Sequence, residues 1–214
     1  MAFPTTYAGW IAYIRDWLSA DEYSEAQIAS FLDLAQLRLN RELESYYMEG
    51  VAPITTIDVN PIDILTHVPD FNKVRLVSLP NIGPLDVMAV NEIKLLLATK
   101  PNGCYPRGYC IDAGLLYMYP VVAIDTVIDF LYYKKIPSMV GGSTPVNSNV
   151  FSINHQDALL YASLLAGSPY MRDNEDVQIW ESQYALALMA GNQNSNHIKM
   201  GSSPLVRDIR IANG

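Results

Sequence analysis

One stretch of the chain, Ser24 to Tyr47, constrains the fold more than any other because it reads as a long amphipathic helix. Ser24 and Gln27 have the spacing of a capping box, in which each side chain satisfies a backbone donor of the first turn. The polar face carries Arg38 and Glu42, an i,i+4 pair of opposite charge. The other face should enter the core, since its apolar residues recur every three or four positions. These residues are Ile28, Phe31, Leu32, Ala35, Leu39 and Leu43.

A first helix is predicted from Thr6 to about Ala20, with Thr5 or Thr6 as its cap. Its apolar stripe contains Trp10 and Trp17, which we assign to the core, with a subunit interface as the alternative. Only residues 19–23 connect this helix to the next. Short links usually join antiparallel neighbours, so the sequence predicts a helical hairpin.

The sequence pattern changes from about Val51. Prolines and glycines there interrupt short apolar runs and exclude long helices. A short helix with an Asn cap is predicted at Asn91–Thr99. Asp112-Ala113-Gly114 predicts a hairpin turn. Five runs rich in β-branched or aromatic residues are predicted as strands. They are Ile54–Val59, Val74–Leu79, Tyr109–Ile111, Leu115–Tyr119 and Thr126–Tyr133.

Helical patterns return after the Gly-, Ser- and Asn-rich loop Ser138–Asn149. A helix is predicted at Asn154–Ala166, ended by Gly167 with Pro169 beyond it. Another is predicted to start with a cap at Asp173 or Asn174 and to run to roughly Ala190. The remaining residues, 191–214, have no helical periodicity and should form an extended tail.

This order of elements predicts an α+β fold, because helices and strands are segregated along the chain. An N-terminal helical hairpin should pack with two C-terminal helices, with a strand-rich insertion between them and an extended C-terminal tail. The predicted domains are a discontinuous helical domain at 1–48 and 150–190, a β-rich insertion at 49–149 and a docking tail at 191–214.

Composition narrows the possible classes of function. The chain has 214 residues, of which 50% are hydrophobic and 17% charged, which is typical of a globular protein. Its net charge of -8 opposes binding to nucleic-acid phosphates. No apolar run is long enough to span a membrane, and residues 1–10 lack the pattern of a secretory signal. We therefore expect a soluble protein made in the cytoplasm, without specific DNA binding and without a membrane partner.

The sequence predicts no catalytic residue, no cofactor and no metal site. Cys104 and Cys110 are too few for a disulfide framework or a zinc site and are expected to be reduced thiols. The loop 141–144 resembles a phosphate loop but lacks the following lysine. Two rival readings stay open. One is an enzyme that uses His67, Asp70 and Arg107. The other is a tail-associated carbohydrate- or protein-binding module. Its platform would be Tyr105, Tyr109, Tyr117 and Tyr119.

The order and spacing of several motifs along the chain resemble those of a known protein family. They are Leu34-Ala35 with Arg38–Leu43, Val68–Phe71, Tyr132–Pro137, Tyr161–Leu165, Pro169–Met171, Asp173–Ala187 with Trp180 and Tyr184, and Gly201–Leu205. Together they resemble the head-to-tail adaptor, or connector, proteins of tailed bacteriophages, especially short-tailed ones. The resemblance spans nearly the whole chain.

The resemblance implies a structural virion protein without enzyme activity, located at the head–tail interface. It implies a dodecameric ring of identical copies under the portal protein, with a tail or nozzle protein on the other side and double-stranded DNA passing through the channel. Because the C-terminal tail is long, we further expect it to dock on the portal, by extended backbone pairing or through side-chain anchors. The residues expected to make that contact are Gly201, Ser202, Ser203, Pro204, Leu205, Val206, Arg207, Ile209 and Arg210.

Overall fold

The computed structural model describes residues 3–18, 23–55, 60–80, 82–100, 105–121, 125–139, 147–170 and 176–200, the last seven as backbone only. The chain divides into two compact units. A helical unit is drawn from Met1–Tyr47 and Pro137–Gly214, and a strand-rich unit from Met48–Ile136. Within the described residues, seven α-helices and two sheets confirm the predicted α+β fold class.

The helical unit contains five helices: α1 (Tyr7–Trp17), α2 (Glu25–Glu42), α5 (Val150–Asn154), α6 (Gln156–Gly167) and α7 (Val177–Met200). Helix α6 is buried along most of its length, and α1, α2, α5 and α7 all pack against it. The α6 residues turned to these neighbours include Ala158, Ala162, Ser163 and Gly167, whose small side chains permit close packing. A Cβ atom on Gly167 would lie 3.2 Å from the ring of Phe31 in α2.

Helix α2 confirms most of the prediction for its stretch. Ser24 and Gln27 form the capping box, the predicted apolar face is buried, and Arg38 Nε donates to Glu42 Oε1 at 3.1 Å. The helix ends at Glu42 rather than at Tyr47, because Leu43 is extended at ψ 134°. Beyond it, the Tyr47 N–H donates to the Ser45 hydroxyl at 3.4 Å, a local bond that competes with helical bonding.

The sequence predicts that Trp10 and Trp17 both lie in the core, and this is wrong for Trp17. Trp10 is fully buried, whereas Trp17 is 44% exposed at the end of α1. Trp17 stands at the exposed end of a row of aromatic rings, in edge contact with Tyr13. Thr6 caps α1, as one of the two predicted alternatives, by accepting from the Gly9 N–H at 3.3 Å. Most of the predicted connector, residues 19–22, lies outside the described residues.

The C-terminal helices differ from the prediction at two points. Helix α6 confirms the helix predicted from Asn154 to Ala166, but a separate helix that was not predicted, α5, precedes it. Asn149 starts α5 with a capping box, and His155, at φ -135°, separates α5 from α6. Helix α7 continues ten residues past the predicted end at Ala190. Gly191 does not stop it, since this glycine serves close packing: an added Cβ would lie 2.9 Å from Leu43 Cδ1. The predicted caps Asp173 and Asn174 lie outside the described residues.

The strand-rich unit has two four-stranded sheets with the orders β1-β8-β3-β4 and β2-β7-β6-β5. Residues from both sheets form one core, which includes Ile54, Val77, Phe130, Leu116 and Met118. The short helices of this unit are α3 (Ile64–His67) and α4 (Val90–Thr99). The strands are β1 (Glu49–Thr55), β2 (Ile62–Asp63), β3 (Phe71–Leu79), β4 (Gly83–Pro84), β5 (Asp86–Val87), β6 (Gly108–Asp112), β7 (Leu115–Tyr119) and β8 (Val127–Lys134).

The predicted hairpin between β6 and β7 is confirmed. Asp112 pairs with Leu115, and the two residues between them, Ala113 and Gly114, have φ of 50° and 81°. Positive φ at both central residues is the conformation of a tight hairpin turn. Two other predictions are wrong. Strand β1 starts at Glu49 rather than Ile54, because it pairs with β8 along its whole length, and Ala89 rather than Asn91 precedes α4, without a side-chain cap.

Gln36 of α2 holds both ends of the predicted loop Ser138–Asn149 against the helical unit. This buried side chain accepts from the Met139 N–H at 3.0 Å and from Asn149 Nδ2 at 2.6 Å, and it donates to the Ser138 hydroxyl at 3.1 Å. Residues 140–146, between these anchors, lie outside the described residues. Asn149 also donates to the Pro137 carbonyl, which completes the network.

Replacing Gln36 with leucine should lower the free energy of unfolding by about 2 to 4 kcal/mol, because at least two buried donors lose their acceptor. The matched control is Gln178→Leu, the same change at an exposed position, which should have little effect. Urea unfolding followed by tryptophan fluorescence measures this, since all three tryptophans lie in the helical unit. Equal stabilities of the two variants would contradict a structural role for Gln36.

Candidate interaction surfaces

The C-terminal part of α7 is fixed to the end of α2 where the chain runs toward its last residues. The Glu44 N–H donates to Asn192 Oδ1 at 2.9 Å, and Gly191 lies against Leu43 and the ring of His155. Asn192 therefore satisfies a backbone donor just beyond the end of α2. The segment after Met200 leaves from a helix whose position is set by these contacts.

His155 lies beneath this contact and is buried. Its Nε2 is 2.7 Å from the Ser45 hydroxyl oxygen, and Tyr47 contacts its ring edge-on at 6.0 Å. Burial lowers the pKa of His155, and the nearby Asp157 carboxylate opposes that shift only in part. The fold therefore holds this imidazole in its neutral form near pH 7.

A second link joins α2 and α7 one to two turns earlier. The Tyr184 hydroxyl donates to Glu42 Oε2 at 2.8 Å, and the Arg38 guanidinium lies 4.3 Å from the centre of the Tyr184 ring. Burial and the Glu42 carboxylate raise the pKa of Tyr184 well above its usual range. Arg38, Glu42 and Tyr184 thus form one bonded group, in which the hydroxyl keeps its proton.

The residues predicted to bind the portal lie outside the described residues, and their role stays a prediction. The sequence did not identify Gly191 and Asn192 as important, although their contacts position the helix that precedes the predicted portal-binding residues. A signal was present, because a glycine within a helical pattern often marks close packing rather than an end. The residues predicted to bind are Gly201, Ser202, Ser203, Pro204, Leu205, Val206, Arg207, Ile209 and Arg210.

The four tyrosines of the binding-module reading do not share one face. Tyr117 and Tyr119 alternate with the buried Leu116 and Met118, whereas Tyr109 pairs with Met118 and is itself buried. Helix α4 packs on the Tyr117 side, with Lys94 Nζ 5.3 Å from the centre of that ring. Tyr117 therefore serves helix–sheet packing.

The residues of the enzyme reading are also separate. Asp70 accepts from the Tyr132 hydroxyl at 2.9 Å, and burial together with this carboxylate raises the pKa of Tyr132 to about 12. His67 ends α3, and the backbone of Arg107 bonds to Asp86 and Tyr119. Across the described ranges, no hydrogen bond or ion pair joins any two of His67, Asp70 and Arg107.

Three further observations concern sites and membranes. Cys110 is a buried free thiol whose pKa is raised by burial, and Cys104 lies outside the described residues, as does the loop 141–144. Within the described part of the chain, no cluster of three His, Cys, Asp or Glu side chains could hold a metal ion. The helices described there include none with the length and apolar content needed to cross a membrane.

The family described as SU10 adaptor protein matches residues 5–208, a range that includes the helical unit, the strand-rich unit and most of the predicted tail. No curated protein matches the chain.

The buried His155 should make the stability of the helical unit depend on pH. Its pKa in the folded chain lies below the ordinary value of 6.5, so the unfolded chain takes up the proton first as the pH falls. The free energy of unfolding should therefore be fully present above pH 6.5 and decrease below it, until the folded-state pKa is reached.

His155→Gln removes the titrating group and keeps a polar atom near Ser45. Urea unfolding of both proteins from pH 7.5 to pH 5 should show a smaller loss of stability for the variant than for the parent. Identical pH dependence in the two proteins would rule out this role of His155. His67→Gln, the same change at an exposed histidine, is the control for the substitution itself.

Proposed function

Because the chain belongs to the SU10 adaptor protein family, a family of phage head-to-tail adaptors, we propose that it forms a ring between the portal protein and the tail or nozzle protein. The match over residues 5–208 carries this proposal, since it spans both units. Membership identifies a structural virion protein of the head–tail region that contacts other virion components. Twelve copies in the ring, a portal above and a tail or nozzle protein below are the proposed details.

The helical domain, 1–48 and 150–190, is proposed to hold neighbouring copies together. A closed ring needs two different faces on each subunit, in a heterologous interface whose rotation closes. Helices α2 and α7 both lie on the surface of the helical unit and present different side chains, which supports this arrangement.

The ring is further proposed to extend the DNA channel without binding DNA specifically. Residues 1–50 contain eight acidic side chains and three arginines, and Asp16, Glu25 and Glu44 are exposed. Acidic groups along a channel wall would repel the phosphates of double-stranded DNA and let the duplex slide. The acidic balance of the whole chain, -8, supports the same reading.

The segment after Met200 is proposed to dock on the portal. Leu205 and Ile209 would serve as apolar anchors, and Arg207 and Arg210 would meet acidic groups of the partner. The contacts of Gly191 and Asn192 with the end of α2 support this proposal, because they give the segment a fixed starting point on each copy.

Deleting residues 201–214 should abolish portal attachment, because it removes the proposed docking segment. The fold should stay intact, because the deletion removes no described packing contact. The measurement is co-sedimentation with portal rings of the same phage, with tryptophan fluorescence and circular dichroism to verify folding. A truncated protein that co-sediments like the full-length chain would contradict the docking role.

The mass of the assembly tests the ring itself. Native mass spectrometry of the chain, alone and with portal rings, should give twelve copies per ring in at least one of the two conditions. A fixed dimer or trimer in both conditions would contradict the ring and favour a binding module.

A further inference from the structure

Helix α7 has an apolar stripe on the side opposite its packed face. Trp180, Tyr184, Ala187 and Gly191 are the buried positions that face the helical unit. The exposed positions on the other side recur with the alternating spacing of three and four that lines a helix–helix seam. We call them the outer seam of α7. They are Ile179, Ser182, Leu186, Met189 and Gln193, of which the three apolar residues are 57%, 55% and 53% exposed.

Helix α2 has a matching stripe. Five of its exposed residues also alternate in steps of three and four. The two in the centre, Leu34 and Leu37, are 53% and 45% exposed. Both stripes extend over the same number of residues, about 21 Å of helix. We call this second set the outer seam of α2. It consists of Gln27, Ser30, Leu34, Leu37 and Arg41.

The polar serines of both seams are already satisfied within their own helices. The Ser30 hydroxyl donates to the Ala26 carbonyl at 2.9 Å, and the Ser182 hydroxyl donates to the Gln178 carbonyl at 2.8 Å. Covering these serines with another helix would therefore leave no buried donor without an acceptor. The central parts of both stripes, Ser30 to Leu37 and Ser182 to Met189, can therefore become dry contacts.

Charge indicates which partner fits these seams. From Ser182 to Ile198 the sequence has no Asp, Glu, Lys or Arg, although the chain carries a net charge of -8. Two copies of an acidic protein repel each other except where their facing surfaces lack charge. The outer seam of α2 is also uncharged from Gln27 to Leu37, with Arg41 at its end. A second copy of this chain is the partner that such neutral surfaces suit.

The direction of the helices fixes the orientation of the contact. Glu42 bonds to Tyr184, and Glu44, further along the chain, bonds to Asn192, so α2 and α7 run in the same direction within one copy. Neighbours in a closed ring of many copies differ by a small rotation, which keeps α2 of one copy roughly parallel to α7 of the next. When the apolar centres of the two parallel seams are aligned, Ser30 would face Ser182, Leu34 would face Leu186, and Leu37 would face Met189.

We propose that the outer seam of α7 in one copy packs along the outer seam of α2 in the next copy. The contact is heterologous, because each copy contributes α7 on one side and α2 on the other. It rests on the proposed ring and specifies which surfaces hold that ring together. Its apolar centre is the group Leu34, Leu37, Leu186 and Met189.

Disulfide trapping tests the pairing in rings, formed alone or on portal rings of the same phage. In a Cys104→Ser background, the pair Leu34→Cys with Leu186→Cys, or Leu37→Cys with Met189→Cys, should give a ladder of covalent oligomers after mild oxidation. Each single cysteine variant should give no ladder and no dimer. A dimer from Leu186→Cys alone would mean that α7 meets α7, and it would overturn the proposal.

Charge reversal gives a second measurement. Leu186→Glu and Leu34→Glu should each reduce the yield of rings by at least about tenfold, because each would bury an unpaired charge at the contact. Leu34→Lys combined with Leu186→Glu should restore ring formation, since the two charges then meet across the interface. Leu95→Glu is the matched control, an exposed leucine of α4 that should leave ring formation unchanged.

The outcomes separate this inference from the proposed function. Rings that form normally in Leu34→Glu and Leu186→Glu, and that give no ladder with either cysteine pair, would overturn the packing of α7 on α2 while the ring stands. A parent chain that forms no ring, alone or with portal rings, would overturn the proposed function and this inference with it.

Discussion

The burial of α6 is the constraint on which the helical unit depends. The sequence of α6 has no Lys or Arg, and its one acidic residue, Asp157, lies in the first turn. Small residues along it let α1, α2 and α7 approach closely, as at Gly167 beneath Phe31. With α6 filling the centre, α2 and α7 must lie outside it, each with one apolar face inward. Any apolar residues left on their outer faces are then available to another molecule.

Much of this arrangement could be predicted from local sequence. The capping box of Ser24 and Gln27, the inner face of α2 and the turn at Ala113-Gly114 depend on residues close together in the chain, so their patterns are readable. The predictions that are wrong depend on distant residues. Gly191 continues α7 because Leu43 leaves no room for a side chain, and β1 starts at Glu49 because β8 pairs with it there. Trp17 is half-exposed because α1 ends at its position.

The candidate surfaces were only partly readable from sequence, for a related reason. The second apolar stripe of α2, with Leu34 and Leu37, was not recognised from sequence. These leucines lie among charged residues, and the stronger apolar stripe already accounts for the helical pattern. The long helix α7 contains two such stripes, and apolar residues on two sides of a helix weaken its helical periodicity in the sequence. A helix that is apolar on opposite sides is expected for a subunit that packs both inward and against a neighbour. Such a subunit would act through the surfaces that join copies and partners.

The central claim is that copies of this adaptor form a closed ring in which two different faces of the helical unit meet. Imaging of the head–tail junction in intact virions by electron cryomicroscopy tests it most directly. The account predicts twelve copies around the DNA channel, with α7 of each copy lying along α2 of the next. A single copy at that position, or a ring whose neighbours meet through the strand-rich units alone, would contradict it.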